Sequence, residues 1–167
     1  MGANSFDVST GVDFQEVLNA VQQAEKEIGQ RYDFKGLRVG IELNRTEKTL
    51  LISAPDDYKL KAVWDVLLSK LVKRKVATRN FHPGKVEPAA GGTVRQTVEI
   101  QQGLTADMAR EIVRIIKDAK MKKVQTAIQG DAVRVSSPSR DELQAVIALL
   151  KAKEFPAELT FENYRST

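Results

Sequence analysis

Apolar residues along the chain switch between two periods, and each switch marks an element. Phe6 and Val8 alternate with Asp7 and Ser9, which predicts a short strand over 5–10. Asp13, with Glu16 three residues later, forms a capping-box pattern, and Phe14, Val17, Leu18, Val21, Ala24 and Ile28 then share one helical stripe. Gly29 and a turn at 33–36 end that helix. Val39, Ile41 and Leu43, then Leu50 and Ile52 after a turn at 44–47, restore the period of two and predict a hairpin. Pro55 and Asp56 open a second helix with Leu60, Val63, Trp64, Leu67 and Leu71 on one face.

The pattern breaks after Val76. Pro83, Gly84, Pro88, Ala89, Ala90, Gly91 and Gly92 read as a linker over 82–92. It restarts with Val98 and Ile100 in a strand, a Thr105 cap, and a helix carrying Met108, Ile112, Ile115, Ile116 and Ala119 on one stripe. Val124, Thr126 and Ile128 lie before Gly130-Asp131 and Val133 and Val135 after it, which predicts a tight hairpin. Pro138 ends the second strand, and Ser139 with Glu142 makes a capping box. The last helix runs to about Lys153, and Leu159 and Phe161 supply a final strand.

The two halves match. Residues 52–70 align without gaps on 135–153, a shift of 83, with seven of nineteen positions identical, among them Pro55/Pro138, Leu60/Leu143, Val63/Val146 and Leu67/Leu150. Gly11-Val12-Asp13 and Gly103-Leu104-Thr105 repeat the same entry into a helix. A period this long points to duplication of a whole unit rather than to a solenoid. The expected fold is α+β: two ferredoxin-like βαββαβ domains, each an antiparallel sheet with two helices on one face. The repeats cover 1–81 and 93–167. The sixth element of the first is weak, short and basic near 78–81, and the strand at 95–101 fits that position better. This leaves open an exchange of strands 5–10 and 95–101 between the halves.

Composition narrows the function by exclusion. The 167 residues contain no cysteine, which removes disulfides and thiolate chemistry and fits a reducing compartment. The first twenty residues lack a basic start and an apolar core, and no apolar run approaches the roughly 20 residues that cross a bilayer, so a soluble, cytoplasmic protein is expected. His82 stands alone in a Pro/Gly stretch, so neither a metal site nor a catalytic histidine is expected. No phosphate-loop, dinucleotide-fold or nucleophile-elbow motif occurs, and the carboxylate pairs sit at helix starts, where capping explains them. The chain is read as a non-enzyme with no cofactor.

The net charge of +4 permits an anionic partner, and the cations cluster. Between Val66 and Val86 lie Lys70, Lys73, Arg74, Lys75, Arg79 and Lys85 and no acid. Such a cluster complements a helix C-terminus and equally offers phosphate contacts. Arg110, Arg114 and Lys117 fall opposite the apolar stripe of their helix, and Lys120, Lys122, Lys123 and Arg134 extend the charge. This is a solvated face or a nucleic-acid surface. Arg31, Tyr32, Phe34 and Lys35 interleave aromatics with cations, the pair of groups that base stacking and phosphate binding need, although the rings also suit the end of a helix–sheet core. The expected open sheet faces carry Arg38, Gly40 and Glu42 in one half and Gln125, Arg134 and Ser136 in the other, without the aromatics of sheet-based RNA readers.

The segments SFDVST (5–10), RYDFKG (31–36), SKLVKRKV (69–76) and IQGDAVRVSSPSRDELQAV (128–146) together resemble the YajQ family of bacterial nucleotide-binding proteins over essentially the whole chain. The resemblance implies paired ferredoxin-like domains with exchanged N-terminal strands, nucleotide binding that in some members is to cyclic di-GMP, transcription-factor partners, RNA or tRNA binding, and no enzymatic activity. For a guanine nucleotide, physical reasoning selects Arg31, Lys35, Lys70, Lys73, Arg74 and Lys75 for phosphate and Phe34 for stacking. Arg110, Arg114, Lys117, Lys122, Lys123 and Arg134 form the candidate surface for RNA. An adaptor role toward a transcription factor is the third reading.

Overall fold

The computed structural model of the protein describes residues 3–166 and divides the chain into two units, one spanning Val12–Gln101 and the other formed by the residues on either side of that span. The elements are β1 (Asn4–Ser9), α1 (Phe14–Gln30), β2 (Gly40–Asn44), β3 (Thr49–Ala54), α2 (Asp57–Lys73), β4 (Phe81–Pro88), β5 (Val94–Ile100), α3 (Ala106–Asp118), β6 (Gln125–Gln129), β7 (Ala132–Ser137), α4 (Arg140–Lys151) and β8 (Thr160–Arg165). One sheet has the order β6-β7-β1-β8 and the other β2-β3-β5-β4, every neighbouring pair antiparallel.

The outer unit runs β1-α3-β6-β7-α4-β8, and its sheet order is the ferredoxin-like one. The Val12–Gln101 unit reaches the same order from α1-β2-β3-α2-β4-β5, because β5 takes the place beside β3 that β1 takes beside β7. In each unit the two helices lie on one face of the sheet, against the inward residues of the strands. Val17, Val21, Leu60, Val63 and Leu67 meet Leu50, Ile52, Val98 and Ile100 in one core, and Ile112, Ile116, Leu143, Val146 and Leu150 meet Phe6, Val8, Val133 and Val135 in the other.

The internal repeat has a structural cause. β3 and β7, and the caps Asp56 and Ser139 that follow them, are offset by the same 83 residues. Asp56 Oδ1 accepts from the Lys59 N–H at 2.8 Å, and Ser139 Oγ accepts from the Glu142 N–H at 3.2 Å. The identical leucine and valine pairs beyond the caps are all buried. The capping role survives with a different residue, Asp in one half and Ser in the other, and identity survives at the core contacts. Upstream the offset changes because four residues join β2 to β3 and only Gly130 and Asp131 join β6 to β7.

Two expectations need correction. Residues 82–92 are not a linker, since β4 occupies most of them and pairs with β5. Proline lacks a ladder donor but is tolerated on an edge, and β4 is an edge strand whose register shifts between Pro83 and Val86. Only the connection through Gly91 and Gly92, both at positive φ, behaves as a turn. The capping box at α1 is also incomplete: Asp13 accepts from the Gln15 N–H at 2.9 Å, while the Glu16 carboxylate turns to Asn19 and Arg74. Among the described residues no helix is long and apolar enough to cross a membrane, and no cluster of three or more His, Asp or Glu residues is placed to hold a metal.

Candidate functional site

Arg31, Lys70 and Arg74, three of the six cations expected at the nucleotide, are neutralised within their own unit. Lys70 Nζ lies 2.8 Å from Glu27 Oε1, and that hydrogen bond, with the charges of Lys70 and Arg31, holds the Glu27 carboxyl below its usual value. Arg31 reaches Asp33 at 2.8 Å and Glu27 at 3.6 Å, and its hydrogen bond lowers the Asp33 carboxyl in the same way. Arg74 points its guanidinium at Glu16, 3.3 Å away, and buries Nε. Phe34 is not a stacking face. It is 4% exposed within the core, with Arg31 and Lys59 over its ring at 5.0 and 5.1 Å. Tyr32 is the outward ring of that segment, at 88% exposure.

Lys35, Lys73 and Lys75 remain exposed and outside every ion pair among the described residues. Lys75 sits at φ 60 just past α2, where its N–H bonds Val72 O and the Val76 N–H bonds Leu71 O. This is the Schellman pattern, so the place of Lys75 is set by helix termination.

On α3 the same neutralisation takes two of the three expected cations. Arg110 pairs with Asp107, and Arg114 lies between Glu111 and Asp118, one helical turn away on either side. The hydrogen bond from Arg114 lowers the Glu111 carboxyl. Lys117 escapes, because the chain beyond Asp118 leaves the helix and carries no acid until Asp131.

The turn from α3 to β6 therefore gathers cations without counter-ions. Lys117, Lys120 and Lys122 surround a hollow of about 500 Å³ whose remaining lining is Ile116, Met121, Val124, Gln125 and Thr126. Lys122 and Gln125 also border a second hollow of about 490 Å³, with Lys123, Ala3, Ser136, Ser137 and Pro138. None of the four lysines belongs to an ion pair among the described residues. The geometry has local causes. Lys120 takes φ 54 directly after the helix, so the chain reverses, and the Val124 N–H closes a turn on Met121 O at 3.2 Å. Ser137 Oγ accepts from the Ser139 N–H and donates to Glu142, which fixes the floor near Pro138.

Arg134 is committed elsewhere. Its Nε lies 3.1 Å from Asp7 Oδ1 on the neighbouring strand, while Asn163 Nδ2 and Arg165 reach Asp7 Oδ2 at 3.1 and 3.5 Å. Burial pushes the Asp7 carboxyl up, but hydrogen bonds from Asn163 and Arg134 and the charges of Arg134 and Arg165 outweigh it and leave it below the usual value. A carboxyl depressed in the folded state stabilises above its unfolded pKa and loses that contribution as pH falls through the folded one. Asp7→Asn should therefore cost about 1.5–3 kcal/mol at pH 7, the range for hydrogen bonds to charged groups. The gap to the parent should narrow as pH drops below about 4. Urea titrations at neutral pH and near pH 3 check this; an equal gap at both values would refute it.

From the sequence alone Lys117, Lys122 and Lys123 fall on the candidate RNA surface and the nucleotide falls to the other cluster. That reading does not assemble Lys120 with the apolar floor of Ile116, Met121 and Val124. The available signal was the acid-free run after Asp118, in which Lys120, Lys122 and Lys123 flank Met121.

Known proteins match this chain over nearly its full length. The family model described as "Nucleotide-binding protein YajQ-like" matches residues 4–165. A protein of Carboxydothermus hydrogenoformans named a nucleotide-binding protein is 54% identical over 161 residues, 96% of this chain and 97% of its own length. Proteins with that name from Elusimicrobium minutum and Koribacter versatilis are 50% and 51% identical, each aligned with 99% of this chain and with 100% and 99% of their own lengths. The chain belongs to the YajQ-like nucleotide-binding protein family.

Proposed function

We propose that this protein binds a guanine dinucleotide, cyclic di-GMP, as a cytoplasmic effector without transforming it, and that the lysine-lined hollows beside β6 receive the ligand. The observation that carries the reading is a set of four lysines without carboxylate partners, Lys117, Lys120 and Lys122 around a hollow with an apolar floor and Lys123 with Lys122 beside the second hollow. Each hollow falls in the size range of small-molecule sites. Ammonium groups attract phosphate oxygens as point charges, and the apolar side chains of Ile116, Met121 and Val124 suit a flat base. Gln125 and Ser136, which border the second hollow, present an amide and a hydroxyl able to pair with a guanine edge. The names of the relatives support the nucleotide, and the family resemblance supports the cyclic dinucleotide and a transcription factor as the downstream partner.

Isothermal titration with cyclic di-GMP at low salt tests the reading. Saturable binding in the micromolar range is expected, since a few charge-assisted contacts contribute roughly 1.5–3 kcal/mol each before entropic losses. No heat at high protein concentration would overturn it. RNA binding by the same lysines is the competing outcome: log affinity for RNA would then fall steeply with log salt, and cyclic di-GMP would fail to displace the RNA.

A further inference from the structure

The four edge strands are not equally guarded. β2 carries Glu42; β4 carries Pro83, Pro88 and a register shift; β8 carries Glu162, Arg165 and a register shift with Asn163 at φ 55. Charges, prolines and bulges of this kind keep sheet edges from pairing with other chains. β6 reads Gln125-Thr126-Ala127-Ile128-Gln129 and has no charge, proline or bulge. Ala127 and Ile128 are exposed, Ile128 at 50%.

The register fixes which backbone groups β6 offers. A two-residue turn closes on a hydrogen-bonded pair, here Gln129 with Ala132, and the pairs then alternate. Ala127 and Gln125 therefore bond inward to β7, while the N–H and C=O of Thr126 and Ile128 face away from the sheet.

We propose that β6 pairs antiparallel with β6 of a second copy of this chain, about a two-fold axis at Ala127. In that register Thr126 lies opposite Ile128 of the second copy, and the outward groups of both residues meet as hydrogen-bonded pairs on either side of the axis. Ala127 meets its own counterpart as a non-hydrogen-bonded pair, the closest approach in an antiparallel ladder, which a methyl side chain fits. Gln125 falls opposite Gln129, and Lys123 opposite Asp131, so the one charged pairing in the register is complementary. The second copy satisfies the edge in its own frame, as an isologous contact must.

Sedimentation equilibrium on the full chain, with amide hydrogen exchange, tests this. The weight-average mass should rise from 18.6 kDa toward twice that value between micromolar and millimolar concentration. Thr126→Pro, which removes an outward N–H and no hydrogen bond to β7, and Ile128→Lys should each hold the chain monomeric. On the unaltered chain the Thr126 and Ile128 amides should exchange more slowly as concentration rises, with Ala127 unchanged; this measurement decides if either variant fails to fold. A chain that stays monomeric to millimolar overturns the proposal and leaves the edge to a strand of another protein. Association that survives both variants, or protection that does not move with concentration, overturns it as well.

Discussion

Lys122→Glu combined with Lys123→Glu should weaken cyclic di-GMP binding about a hundredfold, a loss of roughly 2.7 kcal/mol. Lys122 borders both hollows and Lys123 the second, so the double reversal replaces two attractions by two repulsions in the second hollow and one in the first. Both side chains are exposed and outside every ion pair among the described residues, so the fold loses little and circular dichroism should be unchanged. The matched control is Lys73→Glu with Lys75→Glu, which reverses as much exposed charge in the other unit and should change affinity less than threefold by general charge alone. Titration calorimetry of the two variants at one ionic strength gives the answer. If the control abolishes binding and the Lys122/Lys123 pair does not, the site lies on the Val12–Gln101 unit and the assignment fails.

What the sequence showed, and what it hid, follows from the range of the interactions. The hairpin at Gly130-Asp131, the caps at Asp56, Thr105 and Ser139, and the stripes of Leu60, Val63 and Leu67 or of Ile112 and Ile116 are local patterns, and each is present. β4 was hidden because two prolines and Gly84 read as linker when edge position is unknown, and edge position depends on which strand lies alongside. The candidate site was hidden for the same reason. A run of sequence shows Lys70 and Arg74 as free cations; only the packing of α1 against α2 brings Glu27 and Glu16 to them, whereas Arg31 meets local partners, Glu27 and Asp33. Arg114 was local too, since Glu111 and Asp118 lie at helical spacing and its neutralisation could have been read directly. Burial of Phe34 rather than Tyr32 was beyond the pattern, because a single 3-10 turn decides which of two neighbouring rings faces inward.

Gly103→Ala should destabilise the outer unit by about 2–4 kcal/mol, while Gly11→Ala, at the matching point of the repeat, should cost less than about 1 kcal/mol. Gly103 has φ 89, outside even the small left-handed region open to other residues, and an added Cβ would lie 2.2 Å from Asp131 Oδ2 and 2.8 Å from Asp131 Cβ. Asp131 cannot simply swing aside, since its own carbonyl accepts from the Leu104 N–H at 2.8 Å while the Gly103 N–H bonds Thr10 O at 2.8 Å. The end of β1, the entry to α3 and the β6–β7 turn are tied together at this one residue. Gly11 has no positive φ, and its added Cβ would meet only the far end of the flexible Gln102 side chain, 2.9 Å away, rather than backbone. The shared Gly-x-[Asp/Thr] entry thus carries two different requirements, a capped helix start in both halves and an obligatory glycine in one. Adding Asp131→Gly to Gly103→Ala should recover the steric part and leave roughly 1 kcal/mol of backbone strain, a non-additive pair measurable in a double-mutant cycle by urea unfolding. Strict additivity of the two substitutions would show that the contact with Asp131 contributes nothing.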